Sequence, residues 1–393
     1  MNRRETALAT HRRVNRPRFE RNVHALLSLC ARPRLPAELH PELARRAALI
    51  SDWDDALPTA EHHGIAPLLY YHLRAAGVAV PLTTAQQLQG LYVRHRRANR
   101  IRLTALREIL DTLEAQQIQT LVMKGPALMG LVYAEPALRP TADLDLLVAA
   151  GDIFRAGDVL RRLGFRVPGR ETGATLRHHH HLPMATRPTD GLLLQVELHH
   201  HALSRDYGAT LRLDASREPP MTFDLGGRAA STFGAHEMLW HLCQHLVGPL
   251  PRRLRLIGIA DVIGLAECSC ERLDWDRIER QYAIILNVLA LAHALTPLPT
   301  TVLHHLPPRV LDGLRDIGED PDAWSSPSDP GPGRERRLLA FMRTVSPPRW
   351  WLRLRYGTGN TVGLVPRQLR HTAVVWRAVG RRAWRTLEGG REV

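Results

Sequence analysis

Apolar residues recur at three- and four-residue steps through the first third of the chain, the spacing that lines one face of an α-helix. RNVHALLSLCA, PELARRAALISDW and APLLYYHLRAAG each carry it. A longer stretch, from about Thr84 to Gln116, sets Leu88 and Tyr92 four apart, then Leu103, Leu106, Leu110 and Leu113 at alternating steps of three and four. It holds no proline and a single glycine, Gly90, and so predicts one long helix leading into the next unit.

At Gln117 the pattern changes. IQTLVMK is a short β-branched run, followed by Gly-Pro and a small helix, PALMGLVYAE. Next come RPTA, the alternating strand DLDLLV, a helix over DIFRAGDVLRRLG and a strand beginning at FRV. HHHHLPMA, a turn at RPTDG and the strand LLLQVELHHHAL complete the segment. Strands alternating with helices and closed by a hairpin predict an α/β (α+β) unit around a small sheet of mixed direction. From about Gly234 the helical pattern returns in AHEMLWHLCQHLVG, LRLIGIADVIGLAE and DWDRIERQYAIILNVLALAHAL. The expected organisation is a basic arm (1–19), an N-terminal helical region (20–116), the mixed-sheet core (117–230) and a C-terminal helical region (231–318). A Pro/Asp/Gly/Ser linker (319–333) and an Arg/Trp-rich tail (334–393) follow.

Composition narrows the picture. At 393 residues and 44% hydrophobic content the chain can form two or three cores, and no apolar run is long enough to read as a membrane span. The first residues are basic but lack the apolar segment and cleavage site of a secretory signal. Cys30, Cys243, Cys268 and Cys270 form no CxxC pair, a usage that fits a reducing cytoplasm, so the chain reads as soluble and cytoplasmic. The net charge of +14 suggests an anionic partner, but 14 Arg against three acids from Arg334 onward put a local balance of +11 in the tail. The rest is close to neutral. One fact is sharper: of 53 Lys plus Arg residues 52 are Arg, and Lys124 is the only lysine. A lone ammonium suggests a place where a compact point charge fits and a planar guanidinium does not.

The candidate chemistry gathers around that lysine. In DLDLLV, Asp143 and Asp145 lie two apart, so on a strand both carboxylates share one face while Leu144 and Leu146 take the other. Paired carboxylates repel unless a cation lies between them, and oxygen ligands of this kind suit Mg²⁺, with Mn²⁺ as the alternative. Lys124-Gly125-Pro126 follows a strand and opens a helix, whose free N–H groups suit a phosphate; Lys124 adds charge. Arg139, just before the DxD strand, is positioned to clamp a second phosphate or a pyrophosphate leaving group. Glu197, in the alternating strand LLLQVELHH, projects to the same side as Gln195 and His199 and supplies a third carboxylate. Two ions held by Asp143, Asp145 and Glu197 would activate an attacking hydroxyl and stabilise a leaving pyrophosphate.

At this point the residues resemble a family. The string KGPALMGLVYAEPALRPTADLDLLV, a helix ending in LRRLGF and then VELHH resemble the uncharacterised bacterial nucleotidyltransferase family of the DNA polymerase beta superfamily. DWDDALPTAEHHGIAPLLYYHL looks like its helical lead-in, and HEMLWHLCQHL with LRLIGIADVIGLAE like its C-terminal helical half, so the resemblance spans roughly residues 50–300. It implies a nucleotidyltransferase core between flanking helical regions, an NTP substrate, and an acceptor drawn from small molecules such as antibiotics, peptides or proteins, and RNA. Two features depart from the superfamily: Lys-Gly stands where Gly-Ser is usual, and the third carboxylate is Glu where Asp is commoner.

Other signals are weaker. The runs His178 to His181 and His199 to His201 alternate between strand faces, so they offer no single tetrahedral cage; His180 and His199 are the members expected to line the site, His199 on the nucleotide side. His236-Glu237 with His241 has one residue too many for HExxH. His241 and His245, at helical i,i+4 spacing, read as a buried hydrogen-bonded pair with Asp261 as its acidic partner. Trp350, Trp351, Trp376 and Trp384 among the tail arginines fit either a capping helix or a surface for nucleic acid or anionic membrane. The leading expectation is transfer of a nucleotidyl group from an NTP to a hydroxyl or phosphate acceptor. The alternatives are a catalytically weak or inactive binding or regulatory protein of the same fold, and an RNA-end modifier.

Overall fold

The computed structural model describes residues 20–168, 179–207, 209–324, 346–357 and 371. Helix α1 covers residues 20–29, and α2 (His40–Ala48), α3 (Trp53–His62) and α4 (Ala66–Ala75) follow. Helix α5 (Leu82–Ala115) is the continuous 34-residue helix that the absence of proline predicts.

A four-stranded sheet comes next. It is built from β1 (Thr120–Val122), β2 (Leu144–Val148), β3 (Ala185–Thr189) and β4 (Leu192–His199) in the order β1-β2-β4-β3. β1 pairs antiparallel with β2, β2 parallel with β4, and β3 antiparallel with β4, so the sheet is mixed. Helix α6 (Lys124–Leu131) follows β1, and α7 (Ile153–Arg162) follows β2. All five residues of β2 are buried, as its central place requires.

Two local expectations change. RPTDG is mostly strand, and the turn shrinks to Asp190-Gly191, with φ of 50° and 78°. Two positive φ values make the two-residue hairpin loop for which Asp-Gly is favoured. Pro188 lies within β3 because β3 is an edge strand, where no ladder N–H is missed. The strand expected from Phe165 reduces to a single bridge between Arg166 and Thr186.

A second, two-stranded sheet, β5 (Met221–Asp224) with β6 (Ala229–Thr232), leads to the last helices. These are α8 (Ala235–Val247), α9 (Leu256–Ser269), α10 (Trp275–Gln281), α11 (Ile284–Leu295), α12 (Thr300–Leu303), α13 (Pro308–Leu314) and α14 (Arg349–Tyr356). The stretch expected as one helix from Asp274 is two, broken at Tyr282–Ala283. Residues 319–324 pack onto the body: Trp324 is buried and donates its indole N–H to the Gly318 carbonyl. In α14, Trp350 and Trp351 are buried, and Trp351 donates to the Val247 carbonyl at 3.0 Å. Those two tryptophans cap the helices; Trp376 and Trp384 lie outside the described residues.

Buried polar groups tie these parts together. Arg32, 1% exposed, reaches Glu267 on α9 at 2.9 Å and the Pro297 carbonyl at 2.6 Å. Asn99, on the buried face of α5, donates to the carbonyls of Pro136 and Arg139 at 2.8 and 2.9 Å, fixing the loop that enters β2. Replacing Asn99 with Ala would remove two hydrogen bonds that a buried amide makes to part-buried carbonyls, so unfolding in urea is expected to show a loss of about 1–3 kcal/mol; an unchanged midpoint would count against this anchoring. A second expectation concerns acid. Burial pushes the His72 imidazole down from 6.5 to about 4, against the opposing bond it donates to the Arg32 carbonyl. The folded state then binds fewer protons than the unfolded state between those values. Stability is therefore complete above pH 6.5 and falls as pH drops toward 4, by roughly 3 kcal/mol for this group. Urea midpoints measured from pH 7 to 4 should decline, and His72→Gln should flatten the decline.

Candidate active site

Register decides which carboxylates meet. In the parallel pairing of β2 with β4, Asp145 stands opposite Glu197, so the two side chains emerge on one face. His199, two residues on from Glu197, shares that face, and its Nε2 lies 2.9 Å from Asp145 Oδ1 and 3.2 Å from Glu197 Oε2. The ligand atoms of Asp145, Glu197 and His199 all lie within 4.8 Å of one another. Among the described residues this is the one cluster of three such groups. Two carboxylate oxygens and one imidazole nitrogen within that span could hold a divalent metal ion.

Lys124 closes the same site. The backbone of β1 continues its pairing through Met123, whose N–H donates to the Asp145 carbonyl at 2.9 Å. The chain then turns through Lys124, which has φ of 53°, a conformation disfavoured for a residue with a Cβ. That turn carries Lys124 Nζ to 3.0 Å from Asp145 Oδ1. Gly125 follows with no space to spare: a Cβ there would collide with the Thr141 hydroxyl and come within 3.2 Å of Arg139 Nη1. The glycine is thus required by the packing of the 139–141 loop, which sets a hydroxyl beside a turn that has no serine of its own.

The electrostatics follow from crowding. Burial raises the Asp145 carboxyl, but the Lys124 charge and the His199 hydrogen bond outweigh it and hold Asp145 well below the usual carboxylate range. Burial opposes the Lys124 ammonium, and Asp145, with Asp143 and Glu197, more than offsets it. His199 is likewise disfavoured as a cation by burial, yet hydrogen bonds to Asp145 and Glu197 raise its pKa. Its Nδ1 is buried without a partner among the described residues. Asp143 is half-buried just before β2, outside the three-residue cluster, and burial and the Asp145 charge raise its carboxyl.

Arg139 has a different engagement from the expected one. Its Nε and Nη2 hold Asp261 at 2.9 and 2.7 Å, its Nη1 donates to the Pro140 carbonyl, and Tyr133 donates to the same aspartate at 2.7 Å. Its fork is closed on a carboxylate. Asp261 is therefore the partner of Arg139 and Tyr133, and the expected network with His241 and His245 does not form. Those rings meet edge-on at 6.4 Å, and neither His241 nitrogen has a hydrogen-bond partner among the described residues. His236 and Glu237 are structural: His236 accepts from the Asp274 N–H, and Glu237 accepts from Ser216 and the Arg217 N–H. The rings of His180 and His181 pack at 5.5 and 5.1 Å from that of His199, while His178 lies outside the described residues.

The sequence reading missed the α5 contribution. Stepping four and three from Leu88 gives Tyr92, His95, Asn99, Arg102, Leu106, Ile109 and Leu113, so polar residues interrupt an apolar stripe at three successive positions. That interruption was the available signal. Asn99 and Arg102 are both buried, beside the loop that leads to Asp143.

A mixed sheet presenting abreast carboxylates beside a Lys-Gly turn defines a nucleotidyltransferase core. The chain belongs to the family described as uncharacterised nucleotidyltransferase, whose pattern residues 51–299 match. Its solved structural neighbours include the antibiotic-resistance factor ANT(2")-Ia in complex with adenylyl-2"-tobramycin, at 16% identity and a TM-score of 0.31, covering 47% of this chain and 95% of that one. Another is an antigenic nucleotidyltransferase-like protein from Paracoccidioides brasiliensis, at 14% identity and a TM-score of 0.32, covering 52% of this chain and 97% of that one. No curated protein matches the sequence. No helix among the described residues is long and apolar enough to cross a membrane.

The Arg139–Asp261 pair offers a direct test of how the site is held. Asp261→Ala leaves the part-buried Arg139 guanidinium, 14% exposed, without its counter-charge, and the expected loss of stability is about 3–5 kcal/mol by urea denaturation. A loss under 1 kcal/mol would mean that the pair behaves as an exposed one.

Proposed function

We propose that this chain transfers a nucleotidyl group from a nucleoside triphosphate to a hydroxyl or phosphate acceptor, using Mg²⁺ or Mn²⁺. The observation that carries the reading is the lateral register of Asp145 with Glu197, beside the only lysine. Asp143, Asp145 and Glu197 would hold the ions, with His199 as a fourth donor. Divalent ions bound there would neutralise phosphate charge and lower the pKa of the acceptor hydroxyl. The Lys124 ammonium, the α6 N-terminus and the Thr141 hydroxyl would bind the triphosphate. The acceptor oxygen bonds to the α-phosphorus as the bond to the β-phosphate's bridging oxygen breaks, releasing pyrophosphate. The hydroxyl proton leaves toward Glu197, whose side chain keeps 19% exposure against 2% for Asp145.

One observation favours a second reading, a binding or regulatory protein with weak or no catalysis. Lys124 and His199 already compensate Asp145 from within the chain, so the carboxylate does not require an ion to be stable. An RNA-end modifier would use the Arg-rich tail, most of which lies outside the described residues.

Calorimetric titration separates these readings. Metal-dependent NTP binding by the full chain is expected, abolished in Asp145→Ala and weakened at least about tenfold in Asp143→Ala. A wild-type protein that binds no NTP with Mg²⁺ or Mn²⁺ would remove the enzymatic reading. Binding without turnover of any α-labelled NTP in a lysate would leave the second.

A further inference from the structure

Two arginines among the described residues are buried, and they are treated differently. Arg32 has Glu267 and three further oxygen acceptors. Arg102, 8% exposed on α5, has no carboxylate at ion-pair distance among the described residues. The hydrogen bond it makes there runs from Nη1 to Asn99 Oδ1 at a long 3.4 Å, and its Nε is buried without a partner. A guanidinium withdrawn from water and left without its anion is costly, and in most proteins such a group is paired.

Its position says what would pair it. Asn99, one turn earlier on the same helix, holds the carbonyls of Pro136 and Arg139, so Arg102 flanks the loop that delivers Asp143 to the site. Burial disfavours the Arg102 charge, and Asp143 is the carboxylate whose field supports it. Arg139, the guanidinium that precedes the DxD, is closed on Asp261. A planar fork with unfilled donors, near Asp143 and beside the loop that enters the DxD strand, suits an anion carrying several charged oxygens, delivered with its own counter-ions.

We propose that Arg102 is the guanidinium that receives the polyphosphate chain of the incoming nucleotide. The assignment rests on the nucleotidyl-transfer reading for the nucleotide, but the anion site stands on Arg102 itself. Asn99 is then a positioning residue, aiming the fork while it fixes the loop. The open donors of Arg102 are the donors that the phosphate oxygens fill.

The test compares the full-length wild type with Arg102→Met and Arg102→Lys, titrated with Mg–ATP, Mg–AMP and inorganic tripolyphosphate, with melting temperature recorded for each. Arg102→Met is expected to weaken Mg–ATP and tripolyphosphate by at least about tenfold and Mg–AMP by less. Its melting temperature should equal or exceed the wild type's, because an unpaired buried charge has been removed. Arg102→Lys should recover part of the affinity. Unchanged affinity together with a lowered melting temperature would make Arg102 a structural residue and overturn the proposal. Tripolyphosphate binding that needs Arg102, without ATP binding, would keep the anion site and remove the nucleotidyl-transfer reading. A wild type that binds neither removes both. Should Arg102→Met fail to fold, Arg102→Gln against Arg102→Lys reads the same contrast: equal affinities would overturn the proposal.

Discussion

A carboxylate almost wholly withdrawn from water, with a second one abreast of it, needs positive charge at contact distance. Asp145 is that carboxylate, and much of the local architecture can be understood as the answer. One strand brings Glu197 alongside and, two residues later, brings His199 to bridge both acids. The neighbouring strand ends in a strained turn that swings Lys124 onto the same oxygen. The strain and the charge belong to one device: a relaxed backbone at Lys124 would aim the chain differently, and the ammonium would leave its partner.

The surrounding helices hold this device by polar anchors more than by apolar packing alone. Asn99 grips the loop from the α5 side, and Asp261 grips Arg139 from α9, so the segment leading to Asp143 is pinned at Pro136 and Arg139. Thr141 fills the space over Gly125 and joins that segment to the turn. A disturbance on either helix is therefore transmitted to the carboxylates through a short run of backbone.

Periodicity made the long helix, the alternation of strand and helix, and the C-terminal helices legible in the sequence, because each depends on local spacing. The spacing also marked Asp145 and Lys124, which the structure brings to 3.0 Å, while Asp143 stands outside the three-residue cluster. Side-chain partners across elements were not legible. Arg139 and Asp261 are 122 positions apart, and nothing in the spacing of either announces that they meet. The buried spacing of Asp261 suggests a partner among the α8 histidines, yet Asp261 turns to Arg139 in the loop. Arg102 is visible as a break in an apolar stripe, but the overlapping run of Leu103, Leu106, Leu110 and Leu113 masks it. The edge position of β3, which lets Pro188 sit in a strand, is set by sheet order, a property that no local window contains.

The single ε-amine has one more consequence. Every other side-chain cation of the Lys/Arg type in the sequence is a guanidinium, so reagents and modifying enzymes that acylate lysine have one side-chain address. That address is 17% exposed and engaged with Asp145. Its nucleophilicity is therefore a gauge: acylation is suppressed while the aspartate holds the ammonium, and it reports when the aspartate has let go.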